Sequence, residues 1–527
     1  MRNNLLLPVC FFLAGYLSAQ TPNQPPVISN FSAVADWPNN TLIITYDVAD
    51  AENDPLEISV AFSDDGGYKY DLTSQVPVSG DTGFPVAAGD GRTITCDISA
   101  VAGWAATFTL RLVADDKQTF DLQQLVNEVD SIRLKENLEF VEGIRHRSTG
   151  LAHLNEVRDS ISNHFIGQGL LTQEHLFQNG AATGRNITGT LPGTGTAEKV
   201  VIVDAHYDTV NNSPGADDNG SGVVGFMEIS RILSRYPAKK TIRYIGFDME
   251  EDGLLGSIDY VSNDIPSNEQ IEGVFNFEMI GYYSEQPYSQ EVPPGFDIFF
   301  PDAVAQISAN LYRGDFITNV ANSTCEPLAL LFNNAAAQYV PDLKVITLVA
   351  PGNGSFFTDL LRSDHAPFWL SGEPALMLTD GADFRNNNYH TPMDIAEGKL
   401  NFTFMSNVVK ATLASVAELA EIQHGDWAVT TFDGVVRTGT QPDCSFSFGT
   451  RGSQYDILHI TVAYCPYTQA HVEILDEKNT LLLSETLTLN ESIEYYDLPL
   501  PQLPAGMYFA KITWPGGMRT DKFIVRR

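Results

Sequence analysis

Two β-type runs that end in acids, joined by a glycine-rich loop and an apolar periodic run, constrain this chain more than any other feature. The first is Val200-Val201-Ile202-Val203-Asp204-Ala205-His206-Tyr207-Asp208. The second is Thr241-Ile242-Arg243-Tyr244-Ile245-Gly246-Phe247-Asp248-Met249-Glu250-Glu251. Between them lies Gly215-Ala216-Asp217-Asp218-Asn219-Gly220-Ser221-Gly222. Val223, Val224, Phe226, Met227, Ile229, Ile232 and Leu233 follow at the spacing of a helix face. Strand, loop, helix, strand is a βαβ unit, which predicts two parallel strands. Ligands of such sheets bind beyond the carboxyl ends of the strands. His206, Asp208, Asp217, Glu250 and Glu251 therefore converge on one edge.

Imidazole and carboxylates gathered in this way suggest a metal site. Zinc takes His nitrogen and carboxylate oxygen, and a catalytic site leaves one position for water. A carboxylate between two metals can bridge them. Adjacent acids such as Glu250-Glu251 can divide the work, one on metal and one on the proton. The competing reading is a solvated acidic loop. A single His-x-Asp would favour that reading; acids and a histidine clustered at strand ends of one βαβ unit reverse the balance.

Further blocks extend the pattern: Glu250-Glu251-Asp252-Gly253-Leu254-Leu255-Gly256-Ser257, Asn276-Phe277-Glu278-Met279-Ile280-Gly281, Ser363-Asp364-His365, and Tyr389-His390-Thr391-Pro392-Met393-Asp394. With His206-Tyr207-Asp208 and the 215–222 loop, they resemble the di-zinc aminopeptidases of clan MH. Glutamate carboxypeptidase-like and transferrin-receptor-like proteins belong to the same clan. The resemblance covers residues 118–423. It implies an α/β zinc-exopeptidase domain with a mixed, largely parallel central sheet flanked by helices. It also implies two zinc ions bridged by Asp217, one completed by His206 and Glu278, the other by Glu251 and His390. Glu250 is then the general base on a metal-bridged water. Asp208 orients His206 from behind, and Tyr389 is a candidate oxyanion donor. Glu278 departs from the family's usual aspartate by one methylene. The expected reaction is removal of N-terminal residues from peptides. A carboxypeptidase would need a cationic pocket, for which Arg313, Arg362 and Arg385 are the candidates. A catalytically inert surface-binding relative is the third reading.

A chain of 527 residues exceeds one core, so several domains are expected. Residues 1–20 read as a signal peptide, with Arg2, a short apolar run and a small-residue cleavage context. That run is too short to span a bilayer. Residues 21–117 alternate like short strands between turn signals, which suggests an immunoglobulin- or fibronectin-like β-sandwich. Its acids Asp47, Asp50, Glu52 and Asp54 read either as a calcium site (Ca2+) or as a solvated loop. Residues 118–425 form the catalytic domain, in which the proline- and aromatic-rich stretch after Tyr282 reads as a loop shaping the substrate cleft. Residues 426–527 are β-rich, read as a second sandwich, and resemble the sorting domain of type IX secretion cargo. A secreted or surface-attached bacterial protein, handed to secretion machinery by that domain, is the expectation. The formal charge of −35 argues against nucleic acid as a partner; the clan MH resemblance implies a peptide or protein substrate. Cys444 and Cys465 are the expected disulfide pair, with Cys96 and Cys325 as buried thiols.

Overall fold

Residues 200–206 are buried almost throughout, on both faces of their strand. Such continuous apolar character belongs to a central strand covered on both sides. The computed structural model describes residues 23–525 except 37–38, 64–66, 68–69, 71, 102–106, 181, 267–268, 434–444 and several short stretches between 451 and 516. Residues 1–20, expected as a signal peptide, and Cys444 and Cys465, expected as a disulfide pair, lie outside the described residues. Cys96 and Cys325 are buried free thiols.

Seven strands open the described chain: β1 (Val27–Asp36), β2 (Thr41–Ala49), β3 (Leu56–Ser63), β4 (Val78–Gly80), β5 (Gly83–Val86), β6 (Gly89–Asp97) and β7 (Thr107–Asp115). They form two sheets, β1-β2-β6-β4 and β7-β3-β5, over one apolar core. The carboxylate of Asp47 accepts from Asn30 and Gly91, and that of Asp50 from the backbone of Asp54. Among the described residues these acids form no group of three donors around one point.

The eight-stranded sheet comprises β8 (Leu171–Asn179), β9 (Ala182–Leu191), β10 (Lys199–His206), β11 (Thr241–Phe247), β12 (Gln270–Phe277), β13 (Ile317–Asn322), β14 (Val345–Ala350) and β15 (Ala375–Thr379). Its order is β14-β13-β15-β12-β10-β11-β9-β8. The centre is parallel, as expected: β10 pairs in parallel with β11 and β12, and β12 with β15. The antiparallel pairs lie outside this centre, β11 with β9, β9 with β8, and β15 with β13. Helix Gly222–Leu233 closes the βαβ unit with its apolar residues buried. The last helix of the domain, Phe402–Leu419, starts where the Asn401 side chain accepts the Phe404 N–H. That contact satisfies one of the free donors of a first turn.

Two expectations change. The stretch after Tyr282 is not only a loop. Beyond an irregular segment it holds helix Pro301–Ala309, β13 and helix Glu326–Tyr339, and so supplies one strand to the eight-stranded sheet. Secondly, residues 425–433 do not open the C-terminal domain. They form β16 (Gly425–Asp433), which pairs with β7 from Gly425↔Asp115 to Asp433↔Thr107 and completes the N-terminal sandwich. Phe432 stacks on Phe108 at 5.0 Å in that core. A strand pairing across some three hundred residues leaves no local pattern to read. The remaining strands, from Ser445–Thr450 to Gly517–Val525, form a three- and a four-stranded sheet.

Arg111 fixes the sandwich to the segment just after β9 of the eight-stranded sheet by donating to the carbonyls of Pro192 and Gly193, both at 2.9 Å. These carbonyls follow Leu191, which sits opposite Ile242 near the start of β11. The sandwich is thus anchored at the end of the sheet remote from His206 and Glu250.

Candidate active site

The carboxyl ends of four adjacent parallel strands deliver the polar side chains. β10 ends at His206, β11 leads into Glu250 and Glu251, β12 into Glu278, and β15 into the loop that carries His390. The loop before helix Gly222–Leu233 adds the acidic pair Asp217-Asp218. Met249, Met279 and His390 adopt positive φ, +56°, +58° and +57°. Such conformations cost energy in non-glycine residues and concentrate at functional sites.

Two donor groups form. His206, Asp218 and Glu278 compose one; Asp218, Glu251 and His390 compose the other. Asp218 belongs to both. Its Oδ1 lies 3.4 Å from His206 Nε2 and its Oδ2 lies 3.1 Å from His390 Nε2. Glu278 approaches His206 Nε2 at 3.6 Å, and Glu251 approaches His390 Nε2 at 3.1 Å. His206 and Glu278 thus meet in the first group, and Glu251 and His390 in the second. Ser363 holds that carboxylate, donating to Oε2 at 2.6 Å.

The shared carboxylate is Asp218, not Asp217. Asp217 turns away into a buried network, where its oxygens accept from Gly281 N at 2.9 Å and Asn386 Nδ2 at 2.8 Å. The reason is local backbone. Asp218 and Asn219 leave helical dihedrals inside the loop. Asp394 accepts the N–H groups of both Asp217 and Asp218, at 3.0 and 3.1 Å, and fixes the turn. Asp208 has a double task. It faces His206 Nδ1 at 3.5 Å and accepts the backbone N–H groups of Glu250 and Glu251 at 3.1 and 3.2 Å.

The donor set fits dications. Asp218 Oδ2, Glu251 Oε1 and His390 Nε2 are buried without a hydrogen-bond partner, although His390 and Asp218 are only 3.1 Å apart. Lone pairs that face one another at that range call for a positive charge between them. Burial alone would keep His206 neutral, but Glu250, Asp208, Asp218 and Glu278 outweigh it and raise its pKa well above the ordinary value. Each group offers three protein ligands, which leaves room for a further ligand on zinc.

Glu250 belongs to neither group. Its Oε2 lies 3.9 Å from His206 Nε2, and burial pushes its carboxyl well above the usual range. Tyr389 stacks on His390 with ring centroids 3.8 Å apart, and its hydroxyl accepts from Arg362 at 3.3 Å. Burial, with Asp218, Glu278 and Glu251 nearby, raises that phenol despite the lowering pull of Arg362, so the hydroxyl keeps its proton. Glu278 and Tyr389 both line a pocket together with Val292, Phe296, Ile307, Leu348 and Met377. The segment after Tyr282 does line the cleft, as expected. Sequence reasoning missed Asp218, Ser363 and Asp394 as parts of this arrangement, although all three lie within the motif blocks.

Convergent donor groups, a free carboxylate beside them and an adjoining apolar pocket define a metal-dependent hydrolase. The family model described as "Peptidase family M28" matches residues 186–416. An uncharacterized protein of Escherichia coli strain K12, YfbL, is 30% identical over 273 residues, which cover 50% of this chain and 79% of that protein. Leupeptin-inactivating enzyme 1 of Streptomyces exfoliatus is 29% identical, over 45% of each chain. The solved structure of BSAP, a zinc aminopeptidase from Bacillus subtilis, aligns with a TM-score of 0.35 and 25% identity over 46% of this chain and 51% of that one. The chain spans about half or less of these last two relatives. It belongs to peptidase family M28, of clan MH, and is a metallopeptidase.

Proposed function

We propose that the protein is a secreted zinc aminopeptidase that holds two ions and removes N-terminal residues with large apolar side chains. The observation that carries the reading is the pair of donor groups sharing Asp218, opening onto an apolar pocket with Glu250 alongside. His206, Asp218 and Glu278 would hold one ion; Asp218, Glu251 and His390 the other. When bound, the metals supply Lewis-acid activation of water and of the scissile carbonyl. Glu250 takes the proton from the attacking water and returns it to the leaving amine. Tyr389, held by Arg362, donates to the developing oxyanion. The pocket receives the side chain of the first residue, and its aliphatic and aromatic walls exclude water from it.

The candidate cations for a carboxypeptidase are otherwise engaged. Arg385 is buried against Gln290 Oε1 and the Phe316 carbonyl, at 2.7 and 2.8 Å. Arg313 donates to the carbonyls of Glu285 and Asn310. Arg362, which lines the pocket, is paired with Asp383 at 3.0 Å. An inert binding role is disfavoured by the complete donor set. The leader and the C-terminal β-region support export by the type IX route, with the C-terminal region read by the secretion machinery.

The test is hydrolysis of matched free-amine and N-acetylated peptides before and after chelation, with zinc content recorded. Chelator-sensitive cleavage of the free-amine set alone is the expected result. Cleavage of acetylated peptides from the carboxyl end would overturn it in favour of a carboxypeptidase. Absence of both zinc and cleavage would overturn it in favour of the inert relative.

A further inference from the structure

Arg145 is completely buried, and every hydrogen bond of its guanidinium goes to a backbone carbonyl. Nε donates to Tyr207 O at 2.6 Å. Nη1 donates to Val141 O at 2.7 Å, Pro214 O at 2.9 Å and Gly143 O at 3.0 Å. Nη2 donates to Gly215 O at 2.8 Å. The Arg145 backbone N–H is itself held by Thr209 Oγ1 at 3.0 Å.

These partners are not scattered. Tyr207 directly follows His206, and Thr209 directly follows Asp208. Pro214 and Gly215 begin the turn that presents Asp218. One planar fork therefore ties together the two segments whose side chains meet at 3.4 Å as His206 and Asp218. The turn is built around it. Gly215 has φ +60°, and a Cβ there would meet Arg145 Nη2 at 2.9 Å and Asp218 O at 2.3 Å. A guanidinium carries five N–H groups in a fixed plane; a lysine has three donors on a flexible stem and cannot hold all five carbonyls. Arg145 lies outside the residues matched to the family model.

We propose that Arg145 is a positioning residue that sets the separation of His206 and Asp218, and through it the affinity of the site for metal. The proposal rests on the metallopeptidase reading. Its electrostatics make it testable by sign. A fixed cation close to the site repels a dication, so removing its charge should, on Coulombic grounds alone, tighten metal binding. Loss of positioning should weaken it, as changes behind metal ligands do by about 10- to 100-fold.

The experiment uses the purified full chain, with zinc affinity measured by competition against a chelator of known affinity. The cobalt(II) absorption spectrum reports ligand geometry, and far-UV circular dichroism of the metal-free protein reports folding. Arg145→Gln removes the charge and most donors; Arg145→Lys keeps the charge and loses the fork. The expected result is weaker zinc binding in both variants, by about ten-fold or more, with a shifted cobalt spectrum. Unchanged or tighter binding in Arg145→Gln would overturn the proposal, as would a loss of thermal stability with zinc affinity intact. Should neither variant fold, Thr209→Val removes one contact of the same clamp and is expected to weaken zinc binding measurably; unchanged binding there also overturns it. If the wild-type chain binds no zinc, the metallopeptidase reading fails first and takes this inference with it.

Discussion

Asp217 and Asp218 are neighbours of the same chemical type, yet the structure assigns them opposite tasks. Replacing each with asparagine separates those tasks at constant size. In Asp217→Asn the new amide meets two donors, Gly281 N–H and Asn386 Nδ2, at 2.9 and 2.8 Å. An asparagine has one acceptor oxygen, so one donor must face its NH2 group. Leaving a buried donor unsatisfied costs about 1–3 kcal/mol. That variant should melt a few degrees lower and still hold its full complement of zinc. Asp218→Asn acts differently. Its oxygens reach His206 on one side and His390 on the other, and an amide nitrogen cannot ligate metal. One of the two donor groups must lose a ligand, so zinc content should fall from two per chain to about one or less after dialysis. Activity should fall with it. The assay is metal analysis of the dialysed variants beside a thermal melt of each. Zinc lost from Asp217→Asn and retained in Asp218→Asn would refute the assignment and restore Asp217 as the bridge.

Three further outcomes are expected. Glu250→Gln should keep its zinc and lose about 10²- to 10⁴-fold in kcat, as removal of a general base does; full activity with zinc retained would eliminate that role. Ala303→Phe, which extends a side chain into the pocket from helix Pro301–Ala309, should lower kcat/KM for peptides beginning with leucine about ten-fold more than for those beginning with alanine, and an unchanged ratio would remove this pocket from substrate binding. The third concerns metal removal. Burial raises Glu251, Asp364 and Asp380 to about 7 in the metal-free fold, against ordinary carboxyl values near 4 in the unfolded chain. Groups raised in the folded state bind more protons there than when unfolded, so their contribution to stability declines as pH rises from about 4 to about 7. The chelated protein should therefore melt lower at pH 7.5 than at pH 5, and the gain on adding zinc should grow over the same range; a chelated melt that rises with pH would contradict this.

Much of the site was legible because its chemistry is local. A β-branched run that ends in His206, or in Glu250-Glu251, announces both the strand and the edge at which its side chains emerge. The helix after Gly222 was equally plain from apolar spacing. Glu278 and His390 were named through the resemblance of their motifs to the clan MH peptidases. What failed was any choice between residues that share a pattern. Adjacent acids in a glycine-rich turn give no sign of which one faces inward, because that depends on dihedrals set by Asp394 and Arg145, far away in sequence. The roles of Ser363 beneath Glu278 and of Arg362 behind Tyr389 were hidden for the same reason.

The amino-acid sequence alone determined the central βαβ unit, the parallel pairing of its two strands and the residue types at their carboxyl ends. These follow from hydrophobic period and from the residue types that strands, turns and metals require. Tertiary structure alone decided that Asp218 rather than Asp217 joins the two donor groups. It also decided that residues 425–433 return to the first sandwich and that the segment after Tyr282 builds sheet and pocket together. Strand pairing and side-chain direction depend on contacts between residues hundreds of positions apart, and only the folded chain brings those residues within hydrogen-bonding distance.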